Sequence, residues 1–408
     1  MTRREAIAWR NGLFTIFAML GLGLASWMAR TPAIKSALDI STAQMGILLF
    51  SLALGSIIGL AFASHVIARF ETRAVMFTSY IIAPIGLSVA GIGVTFGHQF
   101  WVVFLGLAIF GFAISSCDVA MNLSGAVNER VLGRTVMPVY HAFFSFGTIV
   151  GAGLGALAEV LKLPLAAHIG ILAAVMMVAG LFGVRQTRSE HVLRENVGGA
   201  ESSDGGWRGR LAIWRDPRTL FIGLIVLGMA FAEGSANDWL SLAAVEGHGV
   251  SKPGGAVVFG VFMTAMTIAR LAGVKLLDRY GRVAVLRASA VVAVVGLLRF
   301  IFIPVLWLAI VGVVLWGLGS ALGFPTGMSA AADDPRIAAA RVSAVATIGY
   351  CAFLIGPPAI GFLGEHFGLL HALLVVVVLI VVAGVASGSA RDPGVTTEPT
   401  PAPRAPAR

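Results

Sequence analysis

QTRSEHVLRENVGGAESSDGGWRGRLAIWRDP, residues 186–217, is the one long polar stretch between the first and last apolar runs of this 408-residue chain. It mixes charged residues with a Gly/Ser segment, the composition of a linker rather than of a packed element. Working outward, a bilayer span needs about 20 largely apolar residues. Runs of that kind lie near 11–31, 43–66, 75–96, 99–124, 137–160 and 165–185 before the linker. After it they lie near 218–245, 254–277, 284–303, 305–329, 340–363 and 369–388. Six spans, a break and six more predict an all-α membrane protein of twelve transmembrane helices in two six-helix bundles.

Composition agrees. Charged residues make up 12% of the chain, against roughly 25% in soluble domains. The mean hydropathy is +0.90. The 50 glycines suit helices whose backbones approach closely in a bilayer. A net charge of +9 would fit a nucleic-acid binder if it formed a face, but the basic residues sit in short clusters between apolar runs. That is the distribution that orients a membrane protein, and nucleic acid is rejected as a partner. Cys117 and Cys351 lie inside apolar runs without CxxC spacing, so neither a disulfide framework nor a metal site is expected.

Arginine sets the orientation. With a cytoplasmic N-terminus, the inner side holds Arg3, Arg4, Arg10, Arg69, Arg73, Arg130, Arg134, the Arg185–Arg218 cluster, Arg279, Arg282, Arg336, Arg341, Arg391, Arg404 and Arg408. The outer side or its margin keeps Arg30, Lys35, Lys162, Lys252 and Arg299. Both termini are therefore expected inside. The predicted organisation is a first bundle over 1–185, a cytoplasmic linker over 186–217, a second bundle over 218–390 and a disordered Pro-rich tail over 391–408. Weak internal similarity pairs Gly111 with Gly317, Gly155 with Gly361 and Glu159 with Glu365 at an offset near 206. Each match joins span n to span n+6, as in transporters built from parallel repeats.

Between spans eight and nine stands Gly273-Val-Lys-Leu-Leu-Asp278-Arg279-Tyr-Gly281-Arg282, an Asp, two Arg and a turn glycine in one tight loop. This resembles the signature loop of the major facilitator superfamily. Its first-half counterpart, Ala68-Arg69-Phe-Glu71-Thr-Arg73, departs from the pattern: Ala68 replaces the Asp and Glu71 the glycine. Other stretches resemble a bacterial inner-membrane permease branch of that superfamily: Ala25-Ser-Trp27-Met-Ala-Arg30-Thr-Pro32, Asp118-Val-Ala-Met-Asn122 with Glu129, and Met137-Pro138-Val-Tyr-His141-Ala-Phe-Phe-Ser145-Phe-Gly147. So do Ala232-Glu233-Gly234-Ser-Ala-Asn-Asp238-Trp239 and Gly356-Pro357-Pro358. Distant relatives include fucose-type sugar:proton symporters and a membrane protein associated with rhizopine, an inositol derivative. The resemblance implies the major facilitator fold, with two bundles related by a pseudo-twofold axis.

Polar groups at membrane depth are costly without a partner and mark candidate function. Glu233 falls near the middle of span seven, with Asn237 and Asp238 one turn further out. Asp118 and Asn122 share one face of span four, and His141 and Ser145 repeat that spacing on span five. Asp118, Asn122, His141 and Glu233 are expected around a shared cavity. Glu233 and Asp118 would carry protons or contact substrate. Arg30 faces either the cavity mouth or the interface as an anchor, and Tyr350 and Trp316 are candidates for stacking on a sugar-like solute. The bland alternatives are packing for His141, Tyr350 and Trp316, and a local ion pair for Asp118. Gly273, Asp278, Arg279, Gly281 and Arg282 form the expected gating loop.

No nucleotide-binding loop, metal cluster, nucleophile elbow or catalytic carboxylate pair is visible, so no cofactor and no enzymatic activity are expected. The reading is a monomeric secondary transporter in the inner membrane, moving a small sugar- or polyol-like solute by alternating access with proton coupling. Alternatives are a metabolite or drug exporter of the same fold, or a transport-inactive sensor.

Overall fold

A computed structural model describes residues 1–134, 136–188, 213–334 and 337–391. The central part of the linker and all but the first residue of the Pro-rich tail lie outside the described residues, as do Thr135 and Arg336. The first bundle comprises α1 (Arg3–Met28), α2 (Thr31–Leu38), α3 (Thr42–Phe96), α4 (Phe100–Leu132), α5 (Met137–Val160) and α6 (Leu165–Gln186). The second comprises α7 (Pro217–His248), α8 (Lys252–Phe302), α9 (Leu306–Ser320), α10 (Gly323–Ala331), α11 (Ala338–Phe367), α12 (Leu369–Ala372) and α13 (Leu374–Ala386), closed by a 3₁₀ turn at Ser387–Ala390.

Eleven helices among the described residues are long and apolar enough to cross a bilayer. One of them, α3, is two arms joined at Glu71, which brings the spans to the expected twelve. Span ten is broken between α9 and α10, and span twelve is α12 continued by α13. The short α2, which the apolar runs do not reveal, packs against α7 and α8 of the second bundle as well as α3. Large apolar side chains such as Phe62, Trp101, Phe182, Ile268 and Val385 point outward. That is a lipid-facing belt, since a soluble surface would not expose so many together.

The repeat runs deeper than the sequence matches. Ser41 caps the start of α3 by accepting from Gln44 N–H, and Ser251 caps α8 by accepting from Gly254 N–H. Both helices then bend through the same backbone conformation, Glu71 at φ 67, ψ 161 and Gly281 at φ 74, ψ 163. Gly111 packs on the Leu52 carbonyl as Gly317 packs on that of Phe262. Gly86 meets Gly106 as Gly296 meets Gly312, backbone against backbone. These pairs stand at an offset near 210 in the second and third spans of each half and near 206 in the fourth. A single offset therefore hides the likeness.

The chain ends gather on one face. Arg188 pairs with Glu5 at 3.1 Å, and Arg218 donates to Asp333 and to the Ser389 and Arg391 carbonyls. Asp216 caps α7 and binds Arg341. Burial pushes the Asp216 carboxyl up, but bonds from Thr219, Arg341 and the Arg218 backbone outweigh it and hold it below the usual carboxylate range. At the opposite face the bundles are shut against each other. Lys35 of α2 pairs with Glu246 of α7 at 2.5 Å. Glu365 of α11 accepts from the Thr42 and Ala43 N–H groups at the start of α3, at 2.8 and 3.3 Å. Ser241 donates to the Ala29 carbonyl at 3.2 Å, and Gly46 lies on the Pro357 carbonyl and Gly361.

Candidate functional site

Closed at one face, the bundles part at the other. A cavity of about 1200 Å³ opens on the face of the chain ends, between α5 of the first bundle and α8 and α10 of the second. His141 and Ser145 line one wall, and Thr267, Arg270 and the bend around Gly281 line the other. His141 is held edge-on to Phe17 with ring centroids 5.4 Å apart. Of the four residues expected around one cavity, His141 alone lines this space directly.

Glu233 reaches it through a partner that the sequence reading did not single out. Arg270 of α8 donates from Nη2 to both Glu233 carboxylate oxygens at 2.8 Å. Its Nε also meets the Ala321 carbonyl at 3.5 Å, where span ten breaks. The broken helix thus offers a carbonyl that holds the guanidinium. Arg270 is the one charged residue of α8 between Lys252 and Lys275, a signal available in the sequence.

Asp118 and Asn122 do stand together: the Asn122 amide donates to the Asp118 side chain at 3.1 Å and to its carbonyl at 2.8 Å. Neither lines the large cavity. Tyr350 of α11, in the second bundle, lies within electrostatic reach of Asp118 in the first. Its ring tilts against Phe353 at 6.4 Å. Asn237 and Asp238 are half-buried further along α7. Asp238 has no hydrogen bond or ion pair among the described residues.

The loop at the bend of α8 pairs with a neighbouring helix end rather than within itself. Arg282 binds outside it, to Asp333 at 2.6 Å and Ser329 at 3.1 Å. Arg218 shares Asp333. Arg279 lies over the Tyr280 ring, and Asp278 faces the cavity without an ion pair among the described residues. Gly273 is not a turn residue; it is helical and packs against Leu322. Arginine needs a carboxylate at guanidinium distance, and the end of α10 supplies it where the short loop does not.

The sequence profile of the Major Facilitator Superfamily matches residues 12–352 and 240–408. The chain belongs to that superfamily. An uncharacterized MFS-type transporter of Yersinia pestis is 30% identical over 350 residues, covering 86% of this chain and 87% of the relative. The membrane protein MosC of Rhizobium meliloti is 26% identical, covering 91% and 87%. Among solved structures, the nucleoside transporter NupG superposes with a TM-score of 0.71 at 17% identity, over 95% of this chain and 98% of that one. The outward conformation of FucP gives 0.63 at 18%, over 95% and 99%. The fold is the major facilitator fold.

Within that fold Arg30 sits neither at the cavity mouth nor at the bilayer interface. It is 4% exposed and turned into the first bundle. Its Nε pairs with Glu159 at 2.5 Å, its Nη1 meets His168 at 3.3 Å, and its Nη2 donates to the Leu163 carbonyl. His168 in turn contacts Ser26 at 3.1 Å. A guanidinium brought to this depth needs such partners. Trp316 is fully buried between Phe262 and Phe300, a packing residue of the transporter's second bundle.

Proposed function

We propose that this secondary transporter carries a small sugar- or polyol-like solute into the cell, coupled to protons, as a monomer in the inner membrane with both termini cytoplasmic. The Glu233–Arg270 fork at the head of the open cavity carries the reading. A guanidinium with one nitrogen held by both oxygens of a carboxylate is neutral as a pair and tolerable at depth. A polar solute that takes over Arg270 leaves Glu233 without a counter-charge, and a carboxylate so exposed to low dielectric gains a proton. Binding and protonation then promote each other. Asp118, with only Asn122 to accept from, is the second carboxylate of the scheme.

The hydroxyl and amide groups nearby, Ser145, Thr267, Asn122 and Tyr350, suit a solute with several hydroxyls. Carriers of a nucleoside and of fucose share the fold, which agrees with that chemistry. The positive side of the chain, with the helix bends and chain ends, faces the cytoplasm under the arginine rule; a reporter fused after Arg408 reads it. Solute flux into proteoliposomes, with and without an imposed pH gradient, tests the mechanism. Glu233→Gln and Asp118→Asn should abolish gradient-driven accumulation while leaving solute exchange. Undiminished accumulation in both variants would reduce the protein to an uncoupled facilitator.

A further inference from the structure

Beneath the closed face lies a carboxylate, Asp238, without a hydrogen bond or ion pair among the described residues. Asp238 shares a stripe of α7 with Gly234, which lies against Phe353 of α11, and Ser241, which bonds to the Ala29 carbonyl of α1. Both bundles therefore meet on this stripe. The Ser241–Ala29 contact is about one turn beyond Asp238, and Glu246 is about 12 Å further along the helix. The seal that shuts this face sits above the side chain.

The charged groups on the elements packed on α7 are engaged elsewhere, stand at helix ends or, as with Lys275, Asp278, Arg279, Arg282 and Arg287 of α8, lie around the bend at the opposite face. Arg30, at the end of α1, is bound to Glu159, and Lys35 of α2 to Glu246. On α8, Arg270 is bound to Glu233, while Lys252 and Arg299 lie in its two outer ends. On α11, Tyr350 faces the Asp118 side, Cys351 is a half-buried thiol, and Glu365 caps α3. Arg341, at the other end of α11, is bound to Asp216. The one titratable group of α12, His371, tilts on Phe302. Neither α9, α10 nor α13 has a titratable side chain. Among the described residues no ion pair joins Asp238 to any of these groups.

We propose that Asp238 is a positioning residue whose protonation sets the outer gate: the neutral acid permits the face to close over it, and the carboxylate favours opening to water. This extends the proton-coupled reading above to a third group. The physical ground is linkage. A charge held half-buried beneath a closed seam without a counter-ion is costly, and the same charge in an open vestibule is hydrated. Closing and proton uptake must then favour each other by one common factor.

The test needs neither solute nor gradient. Spin labels at Ser36→Cys and His366→Cys, in full-length protein carrying Cys117→Ala and Cys351→Ala, report the separation of the bundles at this face in vesicles from pH 5 to pH 9. The closed-to-open ratio should fall as pH rises, by about tenfold per unit at most for one proton. Asp238→Asn should remain closed throughout, Asp238→Glu should keep the response, and Glu233→Gln should keep it too. A full response in Asp238→Asn, its loss in Glu233→Gln, or no response in the labelled parent would overturn the proposal. Because the readout is a distance, it stands apart from flux: a gate governed by Asp238 in a protein without gradient-driven transport would refute coupling and leave this assignment intact.

Discussion

Glu233 and Arg270 illustrate how two ionised groups survive at bilayer depth. Each would be costly alone, and the two-point contact at 2.8 Å makes them a single polar unit. Arg270→Ala should therefore destabilise the protein by about 1.5–3 kcal/mol of lost charged hydrogen bonding, read as a lower melting temperature in detergent. The Arg270→Ala/Glu233→Ala double variant should recover part of it, since no charge is stranded. Equal loss in both would show that the pair matters through volume alone. Glu233 was legible in the sequence because it interrupts an apolar run at its middle. Arg270 was not singled out: it stands a few residues before a basic loop and blends with that loop's charge. Arg30 was misplaced for a similar local reason. It stands at the end of the first apolar run, as an interfacial anchor would, but its guanidinium turns into the first bundle, onto Glu159, His168 and the Leu163 carbonyl.

At the scale of the element, the two bends show one backbone solution reached with two residue types. A positive φ with ψ near 160° is a conformation that glycine adopts at little cost and side-chain-bearing residues avoid. Gly281 complies, and Glu71 occupies the same conformation against preference. A Cβ at Gly281 would meet open space, so the cost of Gly281→Ala is conformational alone. It should destabilise the protein by about 1–3 kcal/mol, and Glu71→Gly should stabilise it by about 1 kcal/mol. Thermal melts of the two variants check the pair, and a stable Gly281→Ala would mean that the bend relaxes. The sequence pointed to this equivalence through the degenerate loop copy. Helix count and the break near Pro304 were equally legible, because hydropathy reports length directly. The break inside span ten was not, since apolar residues continue through Ala321 and Leu322 and only packing interrupts the helix.

For the whole molecule, the decisive fact is that closure at one face accompanies a large opening at the other. The shut face relies on a few polar contacts between the bundles, chief among them Lys35–Glu246 and the Glu365 cap on α3. Such a latch is strong enough to bias an equilibrium and weak enough to release. Lys35→Ala should remove about 1 kcal/mol of bias, raising the open fraction at this face about fivefold. Glu365→Gln should act in the same direction by weakening the bonds to two backbone N–H groups. Distances between labels on α2 and α11 read both effects, and an unchanged distribution in the two variants would move the bias to the glycine-lined seam at Gly46.

The length of α7 has a consequence of its own. Thirty-two residues make a rod of about 48 Å, well beyond a hydrocarbon core of about 30 Å. Glu246, near its end and with its side chain 35% exposed, is then expected outside the hydrocarbon core, at headgroup level. Acidic phospholipids can compete there for Lys35, as dissolved ions can. The surrounding lipid would then help to choose which way the carrier faces, and vesicles of zwitterionic and acidic composition should hold the same protein at different resting orientations.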